Sequence, residues 1–331
     1  MSPHSKSQAT VFAILAVFCL AAQHPLSKPL AQQADSFVLA RIGALIALLG
    51  VPLIFVLARG GRDWLALLSN RSALPGVVVL SGLGITSFFL YSAGLKGTHP
   101  VVVALFLNTS VLWAALWTRL LSGRSLPKAF VSTVLLAMGV IVFAASGGAM
   151  NDLFQLRLAP SNLLLLVVPA LYTLKSVLAT RWFGQSHPME VSATLAVGSV
   201  FLLSPTLISR VFVRECGELW EHVSAGDLVA FGLGTLSGAV LGGAFYIMAL
   251  ARSEGQYAYV TAFNLLIPAI SGMLAAAFAW VLHGGHAAPD VVQWISIGLL
   301  LLVLGRFTIL NQRAQVPRVG ESEQQPAKSL E

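Results

Sequence analysis

Charge is what this chain has least of. Of its 331 residues only 10% are Asp, Glu, Lys or Arg, while 56% are hydrophobic and the mean hydropathy is +0.81. A soluble domain carries about 25% charged residues, so too little polar side chain is present to cover a folded surface in water. The composition is that of a membrane protein, and no stretch is long and polar enough for a separate soluble domain. Nucleic acid is not an expected partner despite the net charge of +7, because basic residues come one to three at a time between apolar runs. Cysteine is scarce too: Cys19 sits in the first apolar run and Cys216 in a polar connection, which gives a disulfide no support. Phe18 stands before Cys19 where lipidation needs a small residue. Also missing are a nucleophile and base constellation, a phosphate loop and a cofactor fingerprint, so neither an enzyme nor a cofactor is expected. The pair His283 and His286, with Asp290 beyond, lacks a third ligand at a convincing spacing, and no metal is expected.

Carboxylates are missing where a proton pump needs them. All 13 acidic residues fall in connections, tails or the ends of apolar runs. A buried Asp, Glu or His relay is the usual device for proton coupling. Facilitated diffusion, exchange, or a relay through His24 therefore rank above a carboxylate-driven antiporter.

What is present is a succession of apolar runs long enough to cross a bilayer. Ten are predicted, at residues 9–28, 38–58, 74–95, 100–121, 127–147, 161–181, 190–209, 228–250, 259–281 and 291–310. None alternates like a barrel strand, so all are expected to be helices, the form that satisfies the backbone in lipid. Lys6 ahead of residues 11–22 also fits a signal peptide, but an uncleaved first span is the simpler reading. Thirteen Lys and Arg residues fall on the side of the N-terminus, five on the other, and Arg41 and Lys175 within spans. The positive-inside rule then puts both termini in the cytoplasm. The longest outer connection, residues 210–227, fits either a surface helix with an apolar underside or an irregular loop.

Ten spans divide into two fives, and because five is odd the second half starts on the opposite side of the membrane. Span four carries Ala104-Leu-Phe-Leu-Asn108-Thr-Ser-Val-Leu-Trp113 and span nine Ala262-Phe-Asn264-Leu-Leu-Ile-Pro268. Each follows a span ending alike, in Tyr91-Ser-Ala-Gly-Leu95 and Tyr246-Ile-Met-Ala-Leu250. Inverted repeats of this kind are a usual transporter architecture, with the substrate near the midplane between the halves.

Together with Arg41 early in span two, Thr98-His-Pro100-Val-Val-Val-Ala-Leu105, Leu136-Ala-Met-Gly139-Val and Gly272-Met-Leu-Ala-Ala-Ala, these patterns make the chain resemble the EamA-like members of the drug/metabolite transporter superfamily. The Gly-Glu pair common after spans four and nine in that family is replaced by Ser122-Gly123-Arg124 and His283-Gly284-Gly285. The resemblance implies an all-α integral membrane fold of ten transmembrane helices in two inverted five-helix repeats. The repeats would be residues 1–150 and 151–311, followed by a disordered cytoplasmic tail at 312–331. It also implies that spans one, three and four and their counterparts line a central cavity.

Polar residues inside spans are the candidate site. Lys175 in span six, one turn after Tyr172, has no acidic partner in any span, so it either snorkels toward the Arg181 end or is completed by an anionic substrate. Arg41, a turn inside the outer end of span two, is a weaker candidate of the same kind. Gln23, His24, Tyr91, Asn108, Ser110, Tyr246 and Asn264, with Tyr172, either line the cavity or hydrogen-bond between helices. Pro25, Pro169 and Pro268 either break their helices or merely kink them. Gly234, Gly238 and Gly242 recur every four residues in span eight and are expected to let a neighbouring helix approach closely. The expected function is a secondary-active or facilitative carrier in the bacterial inner membrane. It would work by alternating access, as a monomer or homodimer, and export small polar metabolites such as amino acids. Efflux of amphipathic drugs or organic anions, or a membrane-embedded role without transport, are the alternatives.

Overall fold

The computed structural model describes residues 3–51, 64–122, 129–148, 160–184, 186, 188–253, 260, 263–282 and 289–315. All regular structure among them is helical: α1 (Pro3–Gln33), α2 (Ser36–Leu49), α3 (Trp64–Ser69), α4 (Leu74–Gly97), α5 (Pro100–Asn108), α6 (Ser110–Ser122), α7 (Phe130–Ala145), α8 (Pro160–Phe183), α9 (Pro188–Leu207), α10 (Arg210–His222), α11 (Ala225–Thr235), a π-helical segment Leu236–Gly242, α12 (Gly243–Arg252), α13 (Ile267–Leu282) and α14 (Val291–Gln315). Seven stretches are long and apolar enough to cross a membrane: Ser7–Gln33, Leu74–Gly97, Pro100–Leu121, Ser161–Phe183, Glu190–Leu207, Ala225–Leu250 and Val291–Leu310. Shorter apolar helices, Ser36–Leu49, Phe130–Ala145 and Ile267–Phe278, coincide with the remaining three runs. The chain is an all-α membrane protein. Residues 52–58 of the second run, the pair His283 and His286 and the tail from residue 316 lie outside the described residues.

Several pairs of neighbouring helices join runs that lie five places apart, or recur when each run is replaced by the one five places on. α4 lies along α8, and α1 along α11, the π segment and α12, so span three meets span six and span one meets span eight. α2 meets α9, α5 meets α13 and α7 meets α14, each pairing a span with the one five places on. α9 packs on α4 and α2 on α11; α6 packs on α8 and α1 on α13. Leu39, Phe106, Ile141, Leu165, Leu300 and Phe307 are among the buried residues of the largest core cluster.

Two interruptions sit at matching places. Span four breaks at Thr109, where the amide bonds to the Phe106 carbonyl at 3.0 Å and the Thr109 hydroxyl donates to the same carbonyl at 2.7 Å. Span nine breaks at Leu265 and Leu266, where the Leu266 amide bonds to Phe263 O at 3.0 Å before α13 starts. An i→i−3 bond tightens the chain at each break, just past Asn108 and Asn264. Pro268 therefore sits at the start of α13, whereas Pro25 and Pro29 lie inside α1 and Pro169 inside α8.

The connection at residues 210–222 is a helix. Ser209 caps α10, its hydroxyl accepting from the Phe212 amide at 3.2 Å. Phe212, Cys216, Leu219 and Val223 form the inward stripe at helical spacing, while Arg214, Glu218 and Trp220 are exposed. Burial pushes the Cys216 thiol up from its ordinary value, against the pull of nearby Arg41. On the same side of the protein, Lys28 Nζ donates to the Leu95, Lys96 and Thr98 carbonyls at 2.6, 3.0 and 2.8 Å, capping the C-terminal end of α4. Thr98 in turn donates to Asn162 Oδ1 at 2.6 Å, tying α4 to the start of α8.

Candidate functional site

Two cavities of about 130 and 140 Å³ meet at Lys175. Both are walled in part by Gly84, Phe88, Tyr172, Lys175 and Ala239, so they are two lobes around one side chain. Either lobe is several times the roughly 30 Å³ that one water takes up in the liquid, so each has room for part of a small metabolite. The first lobe lies between α2, α4, α9 and the π segment. It is walled by small and apolar residues such as Ala40, Gly43, Leu195 and Ile247, with Ser81, Ser176, Ser192 and Ser199 among them. The second lobe lies between α1, α4, α8 and the break before α13. It contains Gln23, His24, Ser87, Tyr91, Ser110 and Asn264.

Lys175 lies eight residues before the last residue of α8, about 12 Å along the axis. Its side chain does not reach for that end. The ammonium turns back over Tyr172, 5.7 Å from the ring centroid, and stands 3.6 Å from where a Cβ on Gly84 would be. Helical side chains tilt toward the N-terminus, and with glycine at position 84 that direction is open. Arg181, the supposed snorkelling neighbour, donates instead to the Leu121 carbonyl at 3.2 Å. Among the described residues no Asp or Glu lines either lobe, and no ion pair to Lys175 is present.

His24 is buried at 2% exposure, with Nδ1 2.9 Å from the Tyr91 hydroxyl. Its Nε2 has no hydrogen-bond partner among the described residues. A buried polar nitrogen left bare costs about 1–3 kcal/mol, so a residue of this kind at a cavity wall points to a ligand. Gln23 leans on Gly238: a Cβ there would stand 2.5 and 2.6 Å from Gln23 Cδ and Cβ. Gly234 meets Ser27 and Leu26, and Gly242 meets Leu20, in the same way, so all three glycines face α1.

Of the sequence candidates, Lys175, Tyr172, Gln23, His24, Ser110, Tyr91 and Asn264 come together in the walls. Asn108 is buried outside them, bridging spans four and nine through Nδ2 to the Leu265 carbonyl at 3.2 Å. Tyr246 packs behind the wall, its ring 6.3 Å from that of Tyr172. Arg41 is elsewhere: it pairs with Glu215 of α10, its guanidinium between the rings of Phe37 and Phe212 at 4.6 and 4.5 Å. Burial to 3% exposure is met there by a carboxylate 174 positions away, which no spacing rule connects to span two. The first lobe was also missed, although Ser192 and Ser199, seven residues apart on one face of α9, carry a signal for it. The π segment, which brings Gly238 and Ala239 to the wall, has no counterpart in the glycine spacing. Such bulges recur at functional sites.

No protein-family model matches the chain. A curated relative, the uncharacterized transporter YyaM of Bacillus subtilis (strain 168), is 24% identical over 141 residues. That match covers 42% of this chain and 46% of the relative, so it spans about half of the relative's length. A solved crystal structure whose description names no activity is 22% identical, with a TM-score of 0.60 over 93% of this chain and 99% of that one. The fold is thus shared along nearly the whole chain.

Proposed function

We propose that the protein is a carrier of ten spans, built as two five-helix halves of opposite orientation at residues 1–150 and 151–311. It works by alternating access, with both termini in the cytoplasm of a bacterial cell, and exports small polar metabolites such as amino acids across the inner membrane. The observation that carries the reading is the pair of lobes meeting at Lys175, at membrane depth and walled by helices of both halves. Exchange of the halves returns many of the helix neighbours, such as α9 on α4 for α2 on α11 and α6 on α8 for α1 on α13, and the breaks after Asn108 and Asn264 fall at equivalent places. Interrupted spans around a midplane site are the recurrent device of secondary transporters. The resemblance to EamA-like proteins and the name of the Bacillus relative support the same reading.

The test is a comparison of extracellular metabolites from cells expressing the wild-type chain or Gly84→Leu at equal level. A leucine at position 84 projects toward Lys175 and fills the junction of the lobes. A compound enriched outside wild-type cells alone supports the carrier. Equal enrichment with the filled cavity, or no enrichment at all, rejects it in favour of a membrane protein without this export activity.

A further inference from the structure

The chemistry of the two lobes narrows what fits between them. Among the described residues lining them, the single formal charge is the positive charge of Lys175. A ligand cation placed there would have no counter-charge, and bringing one out of water unpaired costs several kcal/mol. A carboxylate meets an ammonium that no described protein group neutralises. The first lobe accepts an apolar body, because its wall is dominated by Ala, Gly, Leu, Ile and Val side chains. His24 lines the second lobe, and its buried Nε2 has no partner among the described residues. In the tautomer in which the Tyr91 hydroxyl donates to Nδ1, Nε2 carries the ring's proton and offers a donor to a ligand oxygen.

We propose, resting on the carrier reading above, that the cavity is built for a small organic monocarboxylate with an apolar body and a neighbouring oxygen. The carboxylate sits on Lys175 Nζ, the oxygen on His24 Nε2, and the apolar body in the lobe between α2 and α9. Amines are excluded, and zwitterionic amino acids are poorer ligands than the matching hydroxy acids because their ammonium finds no carboxylate.

The experiment uses four compounds with one branched body: 2-hydroxy-4-methylpentanoate, 4-methylpentanoate, leucine and 3-methylbutylamine. Each is added at equal millimolar concentration to the purified full chain in detergent, and the rise in melting temperature reads occupancy. The expected order is hydroxy acid, then plain acid, then leucine, with no rise for the amine. Lys175→Met removes the rise with both acids, Lys175→Arg keeps part of it, and His24→Leu levels the two acids. The unliganded melting curves of the variants show whether each folds.

A rise with the amine equal to that with the acids overturns the proposal. So does an undiminished acid response in Lys175→Met, or no response to any of the four. Uptake of the same compounds into proteoliposomes separates the two readings. Acid binding that depends on Lys175 without uptake keeps the site chemistry and rejects the carrier. Uptake of leucine or the amine at the rate of the hydroxy acid keeps the carrier and rejects the site chemistry.

Discussion

Placing a methyl group on Gly238 tests the packing that sets the cavity wall. The new Cβ would stand 2.5 Å from Gln23 Cδ and 2.6 Å from Gln23 Cβ, separations that non-bonded carbons do not adopt. Gln23 Cδ can swing aside, but Cβ moves only with the backbone of α1, so the π segment and α1 must separate. Overpacking of this kind costs about 1–3 kcal/mol. With an unfolding entropy of about 2.1 cal/mol/K per residue, the 331-residue chain loses about 1.5–4 °C in melting temperature for Gly238→Ala. Gly232, in the same span, has nothing within 4 Å of its Cβ position. There an alanine only restricts the unfolded chain and gains about 0.4–1 kcal/mol, so Gly232→Ala melts about 1 °C higher. Thermal unfolding in one detergent, with both variants beside the wild type, gives opposite signs if the contact is as described. Gln23→Ala combined with Gly238→Ala removes the flexible part of the clash and recovers part of the loss, as contacting pairs are non-additive. Equal shifts for the two glycine variants, or a fully additive double variant, would refute the reasoning.

Lys28→Met strips three carbonyls at the end of α4 of their ammonium donor. At about 1.5–3 kcal/mol for a hydrogen bond involving a charged group, the melting temperature falls by about 2–4 °C; an unchanged curve contradicts the cap. Arg41→Met leaves Glu215 facing apolar rings and frees α10, so limited proteolysis of reconstituted protein cuts residues 210–222 faster than in the wild type. Cutting at the wild-type rate rejects the Arg41 anchor.

The apolar runs were legible because lipid leaves a span no other way to satisfy its backbone. Residues 9–28, 74–95 and 161–181, with no acidic residue in them, locate α1, α4 and α8 without reference to any partner. The ends of elements were less legible. α1 begins well before residue 9, because Pro3 to Gln8 continue the helix beyond the apolar run. The break in span four carries neither proline nor glycine; the Thr109 hydroxyl takes up the Phe106 carbonyl, a local competition that composition does not register. Arg41 and Lys175 looked alike in sequence, as lone cations inside spans, and the structure separates them by what lies opposite. Arg41 meets a carboxylate carried back by α10. Lys175 meets Gly84, whose missing side chain leaves space where a partner would stand.

That contrast also explains why the candidate site was half visible. Its polar members announce themselves, since Gln23, His24, Tyr91 and Asn264 are costly in a lipid-facing span and must face something polar. Its apolar lobe is invisible, since Ala40, Gly43 and Ala196 are equally at home in any helix contact. A cavity is a property of what several helices jointly fail to fill, and Gly84 and Ala239 matter here through volume they do not occupy. A Gly84→Ala change therefore separates the two roles of a small residue. The added methyl lies 3.6 Å from Lys175 Nζ, an ordinary contact distance, so melting should rise by about 1 °C, as for Gly232→Ala. The hydroxy acid's stabilisation should nevertheless shrink, because the methyl stands where the ligand carboxylate approaches the ammonium. A lower melting temperature with full ligand response would instead make Gly84 a packing residue and move the ligand away from the junction.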